Sequence, residues 1–322
     1  MKAQEKATES LRHPPLREST ALLENDGRVL DQLHKDFYVY LQNALPLDAV
    51  KKLKQEFLDV LIGMGYVDPG AVEPVWNGKD LTDFPVKVEK LHDRRVWIPF
   101  VEDKGVYDVF RRILGAEPFW LPIVEYRVTP PATALPQDPY IGRHQDGFYN
   151  GDLDCYTCWV PLMEIGAKEG GLAMASTLRP ESYLHDTNDP PQYMIPSGAI
   201  PEDAWHRSHY HEGDLVMFNR WIPHSGLPNL SDRFRLSMDV RVMPVDGELP
   251  IWGKVLEFTP DLIRVENHDG REVTLTIDAE TYCRWTAGRR MPTEELISLI
   301  PPGDYVLAFH EDGRALMLRP PR

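Results

Sequence analysis

Between residues 122 and 244 the chain is divided into short apolar runs by Gly, Pro and Asp, and this spacing constrains the fold more than any other feature. The runs 122–130, 153–162, 170–177, 205–210, 214–221 and 234–244 each have strand length and are bounded by turn residues. Such a series predicts a mainly β fold, an antiparallel sandwich or barrel. Ahead of it, residues 36–46 predict one more short strand, in which Phe37, Val39 and Leu41 alternate with more polar positions. Residues 47–62 place Val50, Leu53, Phe57, Val60 and Leu61 at helical spacing, and 104–114 predict a second helix stopped by a left-handed cap at Gly115. These helices are expected to cover one outer face of the sheets.

Beyond 242–250 the pattern changes. Alternating segments are separated by Asp269-Gly270 and Asp312-Gly313, both strong hairpin signals. The expected organisation is therefore a loose polar arm at 1–25, a main domain at 26–245, and a small β-rich C-terminal domain or extension at 246–322, of five or six strands.

The 322 residues carry 35 Lys plus Arg against 50 Asp plus Glu, a formal charge of −15 that argues against a nucleic-acid partner. No run approaches the ~20 apolar residues of a membrane span, and the start lacks the apolar stretch of a secretory signal. Cys155, Cys158 and Cys283 do not form a disulfide framework, and Cys155 and Cys158 fall on opposite faces of a strand, so buried structural cysteines and a cytoplasmic location are expected.

The chemistry concentrates in His144, Asp146, His224 and Arg235. Two imidazoles and one carboxylate can hold Fe(II) on one face and leave the opposite positions open for a co-substrate and O2. His144 and Asp146 leave the same face of an extended backbone, with Gly147 permitting a sharp exit, and His224 follows the apolar strand LVMF just after Pro223. Arg235, on the next strand, is placed to receive the distal carboxylate of a keto acid. The bland alternative is a surface histidine, a turn-forming aspartate and a core histidine; an HxD pair alone does not exclude it. Arg233 is the local rival of Arg235, and Arg241 is expected to serve a solvated face or a salt bridge. His206, His209 and His211 are expected to make hydrogen bonds rather than hold metal.

Taken together, HQDG, GGLAMAST and HSGLPNLSDRFRLSMDV, with the early strand and helix, resemble the phytanoyl-CoA dioxygenase family of non-haem Fe(II)/2-oxoglutarate oxygenases over residues 30–243. The resemblance implies a double-stranded β-helix, or jelly roll, with His144, Asp146 and His224 as iron ligands. It further implies that Arg235 pairs with the C5 carboxylate of 2-oxoglutarate, and that the strand holding Thr157 borders the co-substrate pocket; Thr157 and Tyr126 are the secondary candidates. Asn229, Ser231 and Arg235 keep the family pattern. Ala175-Ser176-Thr177-Leu178-Arg179 departs from the Pro-Gly-Ser-His turn of many members.

The expected activity is hydroxylation of an aliphatic carbon of a small organic metabolite, coupled to conversion of 2-oxoglutarate and O2 to succinate and CO2. A carboxylate at Asp146 argues against halogenation, which needs that coordination position vacant. Desaturation, epoxidation, ring closure or a non-catalytic jelly-roll binding protein remain alternatives. Residues 177–204, with Tyr183, Tyr193, Met194 and Trp205 nearby, are expected to form a lid. No dense basic cluster flanks it for CoA phosphates, so a free small metabolite is the expected substrate; membrane binding is not expected and a homodimer stays open.

Overall fold

The computed structural model describes residues 13–25, 27–85, 87–135, 141–150, 153–188, 193–246, 249–285 and 290–321. Fourteen strands account for most of its regular structure. In chain order they are β1 (Tyr38–Leu41), β2 (Pro118–Thr129), β3 (Ile141–His144), β4 (Tyr156–Pro161), β5 (Gly171–Met174), β6 (Leu215–Phe218), β7 (His224–Leu227) and β8 (Arg235–Pro244), followed by β9 (Ile251–Phe258), β10 (Leu262–Asn267), β11 (Glu272–Thr276), β12 (Tyr282–Cys283), β13 (Tyr305–Glu311) and β14 (Arg314–Arg319).

From β2 to β8 the chain alternates between two sheets. Strands β2, β4, β6 and β8 lie in a five-stranded sheet of order β1-β6-β4-β8-β2, while β3, β5 and β7 form a smaller sheet of order β3-β7-β5. Each crossing brings the polypeptide from one face of the core to the other, which is the winding of a jelly roll. All the ladders of these two sheets are antiparallel. The sequence FRLSMDVRVMP explains the longest of them: Leu236, Met238, Val240 and Val242 face one way, and Arg235, Ser237, Asp239 and Arg241 the other, yet every one is buried. A strand sealed on both faces while carrying four polar side chains must satisfy them internally, and that requirement builds the site described below.

The helix Leu47–Gly63 buries the expected Val50, Leu53, Phe57, Val60 and Leu61 against this core. Its buried Lys54 is held by Glu73 and Glu212, each at 2.7 Å. Lys104–Leu114 starts on Asp103, whose carboxylate accepts from the backbone N–H of Gly105 and Val106, and ends at Gly115 with φ +66°. A further helix, Arg28–Asp36, was not apparent from the pattern; with Val29, Leu33 and Asp36 as its buried residues, it offers only a short apolar stripe.

Three expectations need correction. The described part of the N-terminal arm is attached: Glu18 bridges Tyr40, the Leu16 N–H donates to Ser208 Oγ, and Leu16 is buried. The segment 205–210 forms no strand, because His206 bridges Met174 in the small sheet whereas Tyr210 bridges Ile165, so no single ladder runs through it. Asp146 does not continue an extended backbone; it opens the short helix Asp146–Asn150.

Strands β9 to β14 form a six-stranded sheet, closed by an additional pairing of β11 with β14. Gly270 at φ +72°, and Asp312 and Gly313 at +49° and +74°, supply the left-handed turns foreshadowed by the Asp-Gly pairs. This unit has its own apolar centre around Val255, Ile263, Leu296 and Val306. It abuts the jelly roll through Leu121, Ile123 and Cys155 against Leu307, Phe309 and Met317. Cys155 lies in that seam and Cys158 in the main core, the opposite placement expected of the pair. Burial pushes the Cys155 thiol up to about 12, so it carries no nucleophile at neutral pH.

Candidate metal centre and co-substrate cavity

Strand β3 ends at His144 and β7 begins at His224, and the two residues are partners across the antiparallel ladder. Strand pairing thus places two remote imidazoles side by side, their ring centroids 4.2 Å apart. Each ring is fixed by its own strand: His144 Nδ1 meets the Gly142 carbonyl at 2.8 Å and His224 Nδ1 meets that of Ile222 at 3.1 Å. A carbonyl only accepts, so both rings carry their proton on Nδ1 and present a lone pair at Nε2. Burial pushes His224 down to about 3, which keeps that ring neutral.

The two Nε2 atoms converge on Asp146 Oδ1, each 3.6 Å away. The other carboxylate oxygen is occupied: Oδ2 accepts from Arg241 Nη2 at 3.0 Å and from Thr157 Oγ1 at 2.5 Å. Burial by itself would raise the Asp146 carboxyl, but the Arg241 guanidinium, with the neighbouring imidazoles, holds it well below the usual carboxylate range. The result is one anionic oxygen and two neutral nitrogens turned toward a common point, all three residues buried. This donor set fits Fe(II), a divalent ion that accepts nitrogen and carboxylate together.

A cavity runs from the imidazoles into the barrel and is lined by His144, His224, Arg127, Trp159, Arg235 and Ser237, among others. Arg235 opens β8 opposite Thr129. Its Nη1 donates to the Glu169 and Leu227 carbonyls at 2.8 and 2.6 Å and its Nη2 to Thr129 Oγ1 at 3.1 Å, while the buried Nε has no partner. Burial, and then the nearby Arg127, push its pKa down to about 10, the direction expected of a guanidinium short of negative charge. Arg127 is itself matched by Asp239 at 2.9 Å. An orphaned guanidinium N–H at the far wall of a cavity that starts at the ligand set suits a dicarboxylate chelated at its other end.

Arg233 lies outside this cavity, its side chain 36% exposed and 3.8 Å from Glu73. Asn229 and Ser231 hold the turn before β8: the Asn229 amide donates to the Thr129 and Arg233 carbonyls, and Ser231 Oγ donates to Asn229 Oδ1.

Two expected pocket residues stand elsewhere. Thr157 spends its hydroxyl on Asp146. Tyr126 points away from its neighbour Arg127, as alternation requires; its hydroxyl accepts from the Trp97 N–H and its ring packs on Phe57 and His92. Gly147 has no left-handed backbone; a Cβ there would sit 2.3 Å from Tyr183 Oη, so close approach is the reason for glycine. His206, His209 and His211 stay apart from the triad. His209 pairs with Glu164 at 2.8 Å and stacks on His211 at the surface.

Of the two roles expected for Arg241 the structure shows the salt bridge, buried and not on a solvated face; its partner Asp146, the hold of Thr157 on the same carboxylate, and Arg127 are not evident from these residues taken singly in the sequence. The signal was present in Arg235, Ser237, Asp239 and Arg241, which recur at every second position of a strand too apolar on its other face to be a surface strand. Among the described residues no helix is long and apolar enough to cross a membrane.

No protein-family model matches the chain. It is similar to the 1-deoxypentalenic acid 11-beta-hydroxylases of Streptomyces exfoliatus, 26% identical over 244 residues that cover 71% of this chain and 84% of the relative, and of Streptomyces arenae, 25% identical over 242 residues with the same coverage. Among solved structures it is similar to EvdO2 of Micromonospora carbonacea var. aurantiaca in complex with 2-oxoglutarate, at 18% identity and a TM-score of 0.49 over 74% of this chain and 95% of that one. The non-heme alpha ketoglutarate dependent epimerase SnoN from nogalamycin biosynthesis gives 17% identity and a TM-score of 0.46 over 70% and 84%.

Proposed function

We propose that the chain is an Fe(II)/2-oxoglutarate-dependent dioxygenase of the phytanoyl-CoA dioxygenase kind, hydroxylating an aliphatic carbon of a small organic metabolite. The observation that carries this reading is one cavity lined by His144, His224 and Arg235, with Asp146 grouped beside the two histidines and the buried Nε of Arg235 without a partner. Iron held by the three side chains supplies activation of O2. The balanced reaction takes substrate R–H, 2-oxoglutarate and O2 to R–OH, succinate and CO2, one oxygen atom entering each organic product.

The protein's own contributions are positional. The Nδ1–H bonds to Gly142 and Ile222 aim both Nε2 lone pairs, and Arg241 with Thr157 leaves Asp146 one oxygen for the metal. Arg235 receives the C5 carboxylate, and the backbone carbonyls of Glu169 and Leu227 fix its orientation. Asp146 is matched by Arg241 and Asp239 by Arg127, whereas Arg235 meets only carbonyls and a hydroxyl, which favours an anionic occupant beside it.

The relatives named as hydroxylases of 1-deoxypentalenic acid support hydroxylation as the outcome, and a free organic acid as the kind of substrate. Scarce, buried cysteines support a cytoplasmic setting. Residues 246–322 are read as an appended unit that backs the barrel. The test is anaerobic titration with Fe(II) and 2-oxoglutarate, followed by O2 in the presence of a metabolite pool. Succinate together with a product heavier by one oxygen is expected; failure to bind both iron and 2-oxoglutarate overturns the assignment.

A further inference from the structure

Gln145, between His144 and Asp146, is fully buried, and its side-chain atoms are engaged away from the ligand group. Its backbone N–H donates to His185 Nε2 at 2.9 Å. Its side-chain amide donates to the Trp221 carbonyl at 2.7 Å and the Ser182 carbonyl at 3.2 Å, while Oε1 accepts from the Leu184 N–H at 2.7 Å. One residue thus joins the ligand-bearing segment to residues 182–185 and to the turn that leads into His224.

The contact continues on both sides. His185 donates from Nδ1 to the Tyr193 carbonyl at 2.5 Å, and its ring stacks on Phe148 with centroids 4.0 Å apart and planes 7° from parallel. The Ile195 N–H donates to the Arg143 carbonyl at 2.9 Å. Two glycines act as seats: a Cβ at Gly142 would lie 2.7 Å from Met194 Sδ, and one at Gly147 would lie 2.3 Å from Tyr183 Oη. The Tyr149 ring of the same segment packs 5.8 Å from His144.

We propose that Gln145 is a positioning residue that fastens the described parts of 182–195 onto the segment holding His144 and Asp146, so that seating this loop and fixing the Asp146 carboxylate are one structural event. The inference rests on the oxygenase reading above for its purpose, and on these hydrogen bonds for its geometry. A loop anchored beside the ligands keeps water from the site once substrate is in place, and its release leaves Asp146 less firmly aimed.

The test uses Gln145→Met, which preserves side-chain length and removes the three side-chain hydrogen bonds, in the full chain. Chymotrypsin is the probe, since Tyr183 and Tyr193 lie in the loop. Cleavage at these two tyrosines is expected to accelerate at least about tenfold, because several buried hydrogen bonds no longer oppose local opening. Cleavage within residues 251–319 should not change. Anaerobic affinity for 2-oxoglutarate should stay within about threefold of the natural chain, while Fe(II) affinity falls and the charge-transfer absorption of the complex shifts its maximum as Asp146 loosens. His185→Phe, which keeps the stacked ring and loses both ring hydrogen bonds, should open the loop in the same way.

Unchanged cleavage at Tyr183 and Tyr193 in both variants overturns the proposal. Equal acceleration along the whole chain, or an unmoved absorption maximum, also overturns it. If the natural chain binds neither Fe(II) nor 2-oxoglutarate, the oxygenase reading fails; the cleavage comparison still judges the Gln145 fastening by itself.

Discussion

Replacing Arg235 with Ala separates a keto-acid enzyme from any other iron protein, because in the proposed reading this guanidinium would meet the co-substrate and not the metal. In the free protein Nη1 is committed to the Glu169 and Leu227 carbonyls, which leaves Nε and part of Nη2 for a carboxylate. Removing one hydrogen-bonded partner of a buried charge costs about 2 to 5 kcal/mol. With part of the fork spoken for, a value near 3 kcal/mol is reasonable, or on the order of a hundredfold in Kd. The two abandoned carbonyls add a stability cost of about 1 to 3 kcal/mol each if water cannot reach them, so folding must be checked by thermal melting. Arg235→Lys, which keeps the charge and loses the planar fork, should recover only part of the affinity. Arg233→Ala serves as the control: its pair with Glu73 is exposed and long, worth under about 1 kcal/mol, and it should leave 2-oxoglutarate binding unchanged. The assay is anaerobic titration of 2-oxoglutarate into Fe(II)-loaded protein, with Fe(II) affinity measured separately. Unaltered 2-oxoglutarate affinity in a folded Arg235→Ala protein refutes the anchor, and selective loss in Arg233→Ala moves it two residues upstream.

Three other outcomes are expected. His224→Ala should abolish tight Fe(II) binding and turnover while the protein stays folded, read by metal titration and far-ultraviolet circular dichroism; unchanged iron affinity removes His224 from the ligand set. Arg241→Met should weaken Fe(II) binding at least tenfold and lower stability by about 3 to 5 kcal/mol, since Asp146 becomes a buried carboxylate without its cation; a melting temperature and metal affinity equal to the natural chain's would refute this. Glu125 gives a pH dependence: burial by itself raises its pKa, but Arg127, Lys87 and Arg241 outweigh burial and hold it at about 2, against an ordinary value of 4.5. Its contribution is present above pH 4.5 and is lost as the pH falls toward 2, so stability in urea should drop across that window, and Glu125→Gln should flatten the slope there.

How far the sequence could be read follows from which signals are local. The helix 104–114 is legible from its apolar spacing and the left-handed glycine at its end; the structure adds the Asp103 cap at its start. The strands were visible because their apolar runs are short and punctuated. The segment 205–210 looked the same, yet its two ends belong to different neighbours, a fact that only tertiary pairing decides. For the site, joint occurrence singles out His144, Asp146, His224 and Arg235, and the fold brings the first three together with Arg235 in the lining of the adjoining cavity. Thr157 lies on the strand expected to border the pocket, and its hydroxyl meets Asp146, a partner that depends on where the helix Asp146–Asn150 turns its carboxylate. Tyr126 lies one residue from the cavity: alternation puts Arg127 toward it, and a tyrosine between charged Glu125 and Arg127, with Val124 and Val128 on its own face, does not reveal in sequence which face is inner.

Strand β8 is the element on which the site's precision depends. Arg235 near one end lines the cavity, and Arg241, six residues on and on the same face, holds Asp146. At about 3.3 Å per residue their backbones stand roughly 20 Å apart, and the two long side chains reach inward from opposite ends toward the space between them. A slip of one residue would turn Arg235, Ser237, Asp239 and Arg241 outward and bring Leu236, Met238 and Val240 into the cavity. Two neighbours forbid it: β2 fixes Thr129 against Arg235 and Glu125 against Asp239, with an irregularity between Leu121 and Glu125 that breaks any alternative register, and β4 fixes Thr157 against Arg241. That last pairing also sets side by side the two groups that hold Asp146 Oδ2. The same ladder that closes the barrel therefore assembles the grip on the third ligand, and a substitution that shifts β4 against β8 should disable the metal centre without touching any ligand.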